Sequence, residues 1–329
     1  MATFRGVHEP LLVGAICLLG WSIDSSAALA MVWAAYAIRW WWAARAGPAD
    51  RSVWSAERPP PDSRRTTHIL GPASGSRIVD GRYRLVGLRG RGGFAVSYLA
   101  IHRETGRRVV LKMPRLENLE ESMPCLVHEG DLLERLAECP LVVRILDRGV
   151  ERQPYLVLEY VPETLESLAR PAEGVVWWGR RLREAAAALS FCHRRGVLHA
   201  DIKPANLGIG LDGRIRLLDF GSAVEVEGIS PQPLAGTPAF AAPEVLRGET
   251  GPSVPSEVYS LGVTFRDAYL RHVGREGEAG EPALLDLLSR LAHPRPEGRP
   301  QGMEEILERV AGMLRTLDGG GEAEVPLRN

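Results

Sequence analysis

The sequence predicts an α+β chain with two lobes, a small sheet-rich one followed by a larger helical one, behind an apolar N-terminal segment. Three observations carry that prediction. Strand-like alternation surrounds a glycine turn between Tyr83 and Met113. Helical spacing of Leu182, Ala186 and Leu189 follows further on. A run from Leu11 to Ile38 holds a single charge, Asp24. Strands followed by helices pack as an α+β pair of layers, with a cleft where the two meet.

Composition narrows the function classes. The 329 residues are 45% hydrophobic and 25% charged, which is ordinary for a folded core and excludes wholesale disorder. Basic and acidic residues nearly balance, 40 against 41, so a nucleic-acid-coating role is excluded. The four cysteines, Cys17, Cys125, Cys139 and Cys192, have no paired spacing, so neither a zinc site nor a disulfide framework is expected. Only two of the basic residues are lysines, Lys112 and Lys203; the remaining 38 are arginines. An ammonium is a compact point charge that the broad guanidinium cannot replace, so these two positions draw attention.

The N-terminal region, 1–46, is expected to hold a single membrane span within 11–42. The window is long enough for the ~20 residues that cross a bilayer core. A span from about Leu19 puts Asp24 near one interface. Trp40, Trp41 and Trp42 suit the headgroup belt, and Arg39, Arg45 and Arg51 lie just behind them. The positive-inside bias then puts the remainder in the cytoplasm, giving a single-pass protein of an inner or plasma membrane. A hairpin turning at Asp24-Ser25-Ser26, a cleaved secretory signal and a start assigned too early are the competing readings. Residues 47–77, with Pro59-Pro60-Pro61 and scattered Ser and Arg, read as a linker. A globular domain is expected over 78–315 and a disordered tail over 316–329, which carries Gly319-Gly320-Gly321.

Within the globular part, Tyr83–Arg89 and Phe94–Ile101 read as strands flanking Gly90-Arg91-Gly92-Gly93, and Arg107–Met113 as a third strand. Leu126, Leu133 and Leu136 predict a helix from about Pro124 to Glu138. Val142–Leu146 and Tyr155–Glu159 add strands, and Trp177–Arg195 a long helix. A β-hairpin is expected around Asp212-Gly213.

Chemistry enters with the glycines. Gly90, Gly92 and Gly93 sit in a strand–turn–strand where backbone amides could approach phosphate closely, although a plain turn has the same look. Lys112 ends an apolar strand 19 residues beyond Gly93. Then Asp201, Lys203 and Asn206 fall within six residues, so one loop can direct all three into one pocket. Asp219 follows in Leu218-Asp219-Phe220-Gly221. Magnesium takes hard oxygen ligands, and a carboxylate plus an amide leave room for phosphate oxygens and water. Phosphoryl transfer needs that metal, a cation on the phosphates and a carboxylate on the attacking hydroxyl.

These motifs together resemble the eukaryotic-type (Hanks-type) Ser/Thr protein kinases of bacteria, from about Gly81 to Leu314. The resemblance implies a two-lobed kinase fold and the use of ATP and Mg2+. It implies that Gly90, Gly92 and Gly93 belong to the nucleotide loop and that Lys112 is the phosphate-pairing lysine, held by Glu129. Leu158 would guard the adenine pocket, with Glu159-Tyr160-Val161 as the hinge whose backbone groups at Glu159 and Val161 bind adenine. Asp201 matches the catalytic aspartate, Lys203 the lysine on the γ-phosphate, and Asn206 and Asp219 the metal ligands. Gly236-Thr237-Pro238 through Ala242-Pro243-Glu244 resembles the end of the activation segment, with Arg299 as partner to Glu244. The implied partners are protein substrates bearing Ser or Thr, with no nucleic acid.

Departures from the pattern are specific. Ala95 replaces the third loop glycine, and Ser97 stands where a valine usually packs on adenine. Ala200 replaces the arginine that reads a phosphate on the activation segment, so activity independent of phosphorylation at Ser230 or Thr237 is expected. Glu257 stands where an aspartate normally steadies the catalytic loop. The chain is short between Gly262 and Pro282, where family members dock substrates. A pseudokinase acting as a nucleotide-binding scaffold is the alternative function, opposed by the presence of Lys112, Glu129, Asp201, Asn206 and Asp219.

Overall fold

The computed structural model describes residues 77–151, 153–168, 174–226, 236–272 and 281–317. The expected membrane segment, the expected linker apart from Arg77, Ser230 and residues 318–329 lie outside the described residues. Among the described residues no helix is long and apolar enough to cross a membrane.

Alternating β-branched and aromatic residues build the first lobe. Its strands are β1 (Ile78–Val79), β2 (Tyr83–Arg91), β3 (Ala95–His102), β4 (Arg108–Pro114), β5 (Ile145–Val150) and β6 (Pro154–Glu159). They pair antiparallel in the order β1-β2-β3-β4-β6-β5. Because successive side chains alternate between faces, one face buries Tyr83, Ala100, Val109, Leu111, Met113, Tyr155 and Val157. Lys112, whose neighbours across the strands are Ser97 and Leu156, therefore belongs to the other face.

Helix α1 (Leu119–Arg135) lies between β4 and β5 in sequence and buries Cys125, Leu126, Glu129, Leu132 and Leu133. It begins five residues before the expected start at Pro124, which sits inside its second turn. Glu120 and Glu121 complement the positive end of the helix, and a proline costs least near a helix start. The strand expected at Val142–Leu146 is displaced to Ile145–Val150. Leu141, Val142 and Val143 are buried, but Val142 makes only an isolated parallel bridge to Leu217. The strand instead runs through polar residues whose needs are met: Asp147 accepts a hydrogen bond from the Tyr83 hydroxyl at 2.7 Å and pairs with Arg82 at 2.8 Å.

The second lobe holds β7 (Glu163–Thr164), β8 (Val197–Leu198), β9 (Leu207–Ile209), β10 (Ile215–Leu217) and β11 (Val224–Glu225) as two small sheets, ordered β10-β9-β7 and β11-β8. The hairpin expected around Asp212-Gly213 is the β9–β10 pair, with Gly213 at φ +76° making the turn. Helices α2 (Val175–Arg194), α3 (Pro243–Leu246), α4 (Val254–His272), α5 (Glu281–Leu291) and α6 (Met303–Leu317) supply the bulk. Trp178 of α2 is fully buried and meets Phe265 and Tyr269 of α4 edge-on, at 6.3 and 5.7 Å between ring centres. Such aromatic contacts add about 0.5–1.5 kcal/mol each beyond area burial. They fix α2, and hence the loop after it, against α4.

Candidate active site

The elements converge on two charge clusters. In the first, the Lys112 ammonium lies 2.6 Å from Glu129 Oε2 and 2.6 Å from Asp219 Oδ1. Lys112 and Glu129 are both buried, which makes an unpaired charge there prohibitive. Burial works to lower the Lys112 pKa, but Asp219 and Glu129 more than reverse this and hold it above the ordinary lysine value. Burial pushes the Glu129 carboxyl up. Desolvation would raise Asp219, whose side chain is partly exposed, yet the charge and hydrogen bond of Lys112 overcome it and bring that carboxyl to about 2. Asp219 has a left-handed backbone (φ +60°), and its Oδ1 caps the following turn by accepting from the Gly221 amide at 3.3 Å.

The second cluster surrounds Asp201. Its Oδ1 accepts from the amide and hydroxyl of Thr237, at 2.9 and 2.8 Å. Its Oδ2 accepts from Lys203 Nζ at 2.6 Å and from Asn206 Nδ2 at 3.1 Å. Lys203 also donates to the Thr237 hydroxyl at 2.9 Å. His199, fully buried, bridges the clusters: Nε2 lies 2.8 Å from the Leu218 carbonyl, and Nδ1 accepts from the Asp201 amide. That pattern puts the ring proton on Nε2. Ala200, between them, has φ +62°, and its amide donates to Glu257 Oε1 at 2.7 Å.

The donor set fits a magnesium nucleotide. Asn206 spends its Nδ2 on the Asp201 carbonyl and carboxylate, which leaves its amide oxygen as a hard ligand beside the ionised Asp219. Among the described residues no group of three or more His, Cys, Asp and Glu could hold an ion. A cation here would therefore draw its remaining ligands from phosphate and water. Gly90 and Gly93 of the β2–β3 turn have open space where a Cβ would stand, and the Gly92 amide donates to the Ala95 carbonyl at 2.8 Å. Side chains at Gly90 and Gly93 would thus meet nothing, while the Gly92 carbonyl accepts from Arg115 Nη1 at 3.3 Å.

Glu159 ends β6 and Val161 lies just beyond it, where the chain passes between the lobes. The Glu159 carboxylate accepts from the Arg144 amide at 3.0 Å and pairs with Arg216 at 3.3 Å, and its own amide donates to the Arg144 carbonyl at 2.9 Å, so its side chain serves structure. The Val161 carbonyl accepts from Arg89 of β2.

Four contacts were not foreseen. Thr237 drew notice as a modification site, yet it holds Asp201. His193 of α2 pairs with Glu257 at 2.6 Å. Arg89 reaches the hinge from a strand position that the pattern left unexamined. Gly208 of β9 has Val161 Cγ1 2.5 Å from where its Cβ would be. A glycine inside a short strand signals such a close approach.

Known proteins agree with this geometry. The protein kinase domain family matches residues 83–282. The Ser/Thr-protein kinase PknK of Mycobacterium tuberculosis is 33% identical over 250 residues, 74% of this chain but only 22% of PknK. The chain therefore spans about a fifth of the length of that relative. The cell division control protein 2 homolog 3 of Trypanosoma brucei brucei is 29% identical over 240 residues, covering 69% of this chain and 76% of its own length. CBL-interacting protein kinase 29 of rice is 31% identical over 272 residues, 70% of this chain and 59% of that one. The match spans the sheet lobe with Lys112, the helix with Glu129 and the loop with Asp201, and the chain belongs to the protein kinase domain family.

Proposed function

We propose that this chain is a Ser/Thr protein kinase that transfers the γ-phosphate of ATP, with Mg2+, to Ser or Thr hydroxyls of proteins. The observation that supports it best is the pairing of Asp201 with Lys203 at 2.6 Å beside an intact Lys112–Glu129 pair. In this reading Asp201 orients the acceptor hydroxyl and takes its proton. Lys203 neutralises charge developing on the transferred group, and Lys112, steadied by Glu129, sits on the phosphates. Asn206 and Asp219 would hold the magnesium, which when bound offsets phosphate charge. The incoming hydroxyl competes with Thr237 for Asp201 Oδ1, so the acceptor enters along the Thr237 side.

The proposal extends to regulation and location. Ala200 offers no guanidinium to a segment phosphate, and Glu257 already ties its amide down. The enzyme therefore works without activation-segment phosphorylation. The Leu11–Ile38 run tethers it to an inner or plasma membrane, with the kinase domain on the cytoplasmic side.

The test is transfer of labelled γ-phosphate from Mg·ATP by the full chain, to itself and to a generic Ser/Thr acceptor, beside Asp201→Asn. Label on Ser or Thr should appear with the wild type and fall at least ~1,000-fold in the variant, with nucleotide affinity changed less than about threefold. Near-normal turnover by Asp201→Asn would refute the assignment. Nucleotide binding without transfer would make the chain a nucleotide-binding scaffold.

A further inference from the structure

Arg89 stands near the end of β2, immediately before the glycine turn, yet its side chain crosses to the hinge. Its Nη2 donates to the Val161 carbonyl and lies 3.4 Å from the Pro162 carbonyl. Its guanidinium stands over the Tyr160 ring, 5.1 Å from the ring centre, and Arg108 of β4 stands over the same ring at 5.7 Å. Planar stacking together with a donor on a carbonyl is a geometry that a guanidinium holds and an ammonium does not. Arg89 is therefore fixed across the outer lip of the cleft.

Val161 matters because its backbone is where a base is read. A residue's N–H and C=O can address one partner edge together, as they do in a hydrogen-bonded strand pair. A free hinge residue would thus offer a donor and an acceptor side by side. Here the acceptor already has its donor, and only the Val161 N–H remains to be satisfied. We propose that Arg89 is a specificity-determining residue: it restricts the cleft to bases that present an acceptor to the Val161 N–H and no donor beside it. Adenine has that edge, with ring N1 next to an apolar C2–H. A purine with an amino group at C2 meets a carbonyl that Arg89 already covers, so the amine must displace the guanidinium or crowd against it on one oxygen. Giving up a hydrogen bond made by a charged group costs enough to shift binding by about tenfold.

The inference rests on the nucleotide-binding reading, and the experiment separates the two. Dissociation constants for ADP and 2-amino-ADP (2,6-diaminopurine riboside diphosphate) are measured by calorimetry on the full chain, on Arg89→Leu and on Arg89→Lys. Thermal melting of each protein checks folding. The wild type should bind 2-amino-ADP at least about tenfold more weakly than ADP. Arg89→Leu should bring the two within about threefold, chiefly by gaining affinity for 2-amino-ADP, and Arg89→Lys should fall between. Equal binding of both nucleotides by the wild type, or discrimination that survives in Arg89→Leu, overturns the role of Arg89 while leaving nucleotide binding intact. Failure of the folded wild type to bind either nucleotide overturns both readings.

Discussion

Glu257 Oε1 accepts the amide hydrogen of Ala200 at 2.7 Å, and so ties α4 to the residue just before Asp201. The other oxygen, Oε2, lies 2.6 Å from His193 Nε2 on α2. The extra methylene that distinguishes this position from the aspartate usual in the family lets one carboxylate serve both. Ala200 is held in left-handed backbone, which costs a residue with a Cβ roughly 1–2 kcal/mol. Glu257→Ala leaves a half-buried amide and a half-buried imidazole without that partner, and about 1–3 kcal/mol of stability should go with it. Thermal denaturation reads that loss. Turnover should fall at least about tenfold, because the Asp201 backbone is no longer fixed. Glu257→Asp should lie between, able to reach Ala200 or His193 but not both.

Arg299 uses all five of its N–H donors. Two go to the Glu244 oxygens at 2.6 and 2.9 Å, and three to the carbonyls of His293, Pro255 and Pro294. Its guanidinium also stands over the Tyr259 ring. Lysine can match neither the fork nor the stacking, so Arg299→Lys should destabilise the chain by about 3 kcal/mol. Burial would raise the Glu244 carboxyl, but Arg299 outweighs it and holds the folded-state pKa below the usual value of 4.5. A lowered carboxylate pKa gives stability that is complete above the unfolded value and lost as pH falls through the folded one. The melting temperatures of wild type and Glu244→Gln should therefore differ most above about pH 5 and converge in acid. A gap that stays constant from pH 7 to pH 3 would contradict this.

The two clusters were legible before the fold because their chemistry demands particular residue types at particular spacings. Asp201, Lys203 and Asn206 share one loop, and no packing preference produces that set. The Lys112–Glu129 pair was reachable only through the family resemblance, which assigns the strand lysine a glutamate on the next helix. What escaped notice depends on contacts distant in sequence. Asp147 and Arg148 masked β5, since nothing local reveals that Tyr83, 64 residues earlier, satisfies Asp147. Arg89 drew no notice because its partner carbonyl lies 72 residues away.

Phosphorylation supplies a third prediction. The Thr237 hydroxyl already contacts Asp201 and Lys203, so a negative group there stands against the Asp201 carboxylate and competes for Lys203. Thr237→Asp should lower turnover by about a hundredfold or more. Ser230→Ala and prior phosphatase treatment should leave turnover within about twofold. A large rate gain on phosphorylation of either residue would show that the segment is switched by a group other than an arginine at position 200.

Gly208 gives the fourth. It lies in β9, and the room a side chain would take there is filled by Val161 Cγ1 at 2.5 Å and Leu218 Cδ1 at 3.0 Å. Val161 is β-branched and stiff at χ1, so it cannot simply rotate away. Gly208→Ala must therefore push the Val161 backbone, whose N–H would read the base in the proposed function, and press on Leu218, whose carbonyl anchors His199. Overpacking of this kind costs about 1–3 kcal/mol. Part of that should appear as KM for ATP rising roughly fivefold to thirtyfold, with turnover at saturation less affected, since Asp201 and Lys203 are not displaced. The same substitution at Gly93, where a Cβ meets open space, provides the control: stability should change by less than about 0.5 kcal/mol. An unchanged KM in Gly208→Ala would mean that Val161 yields without moving its amide, and that the base is read elsewhere.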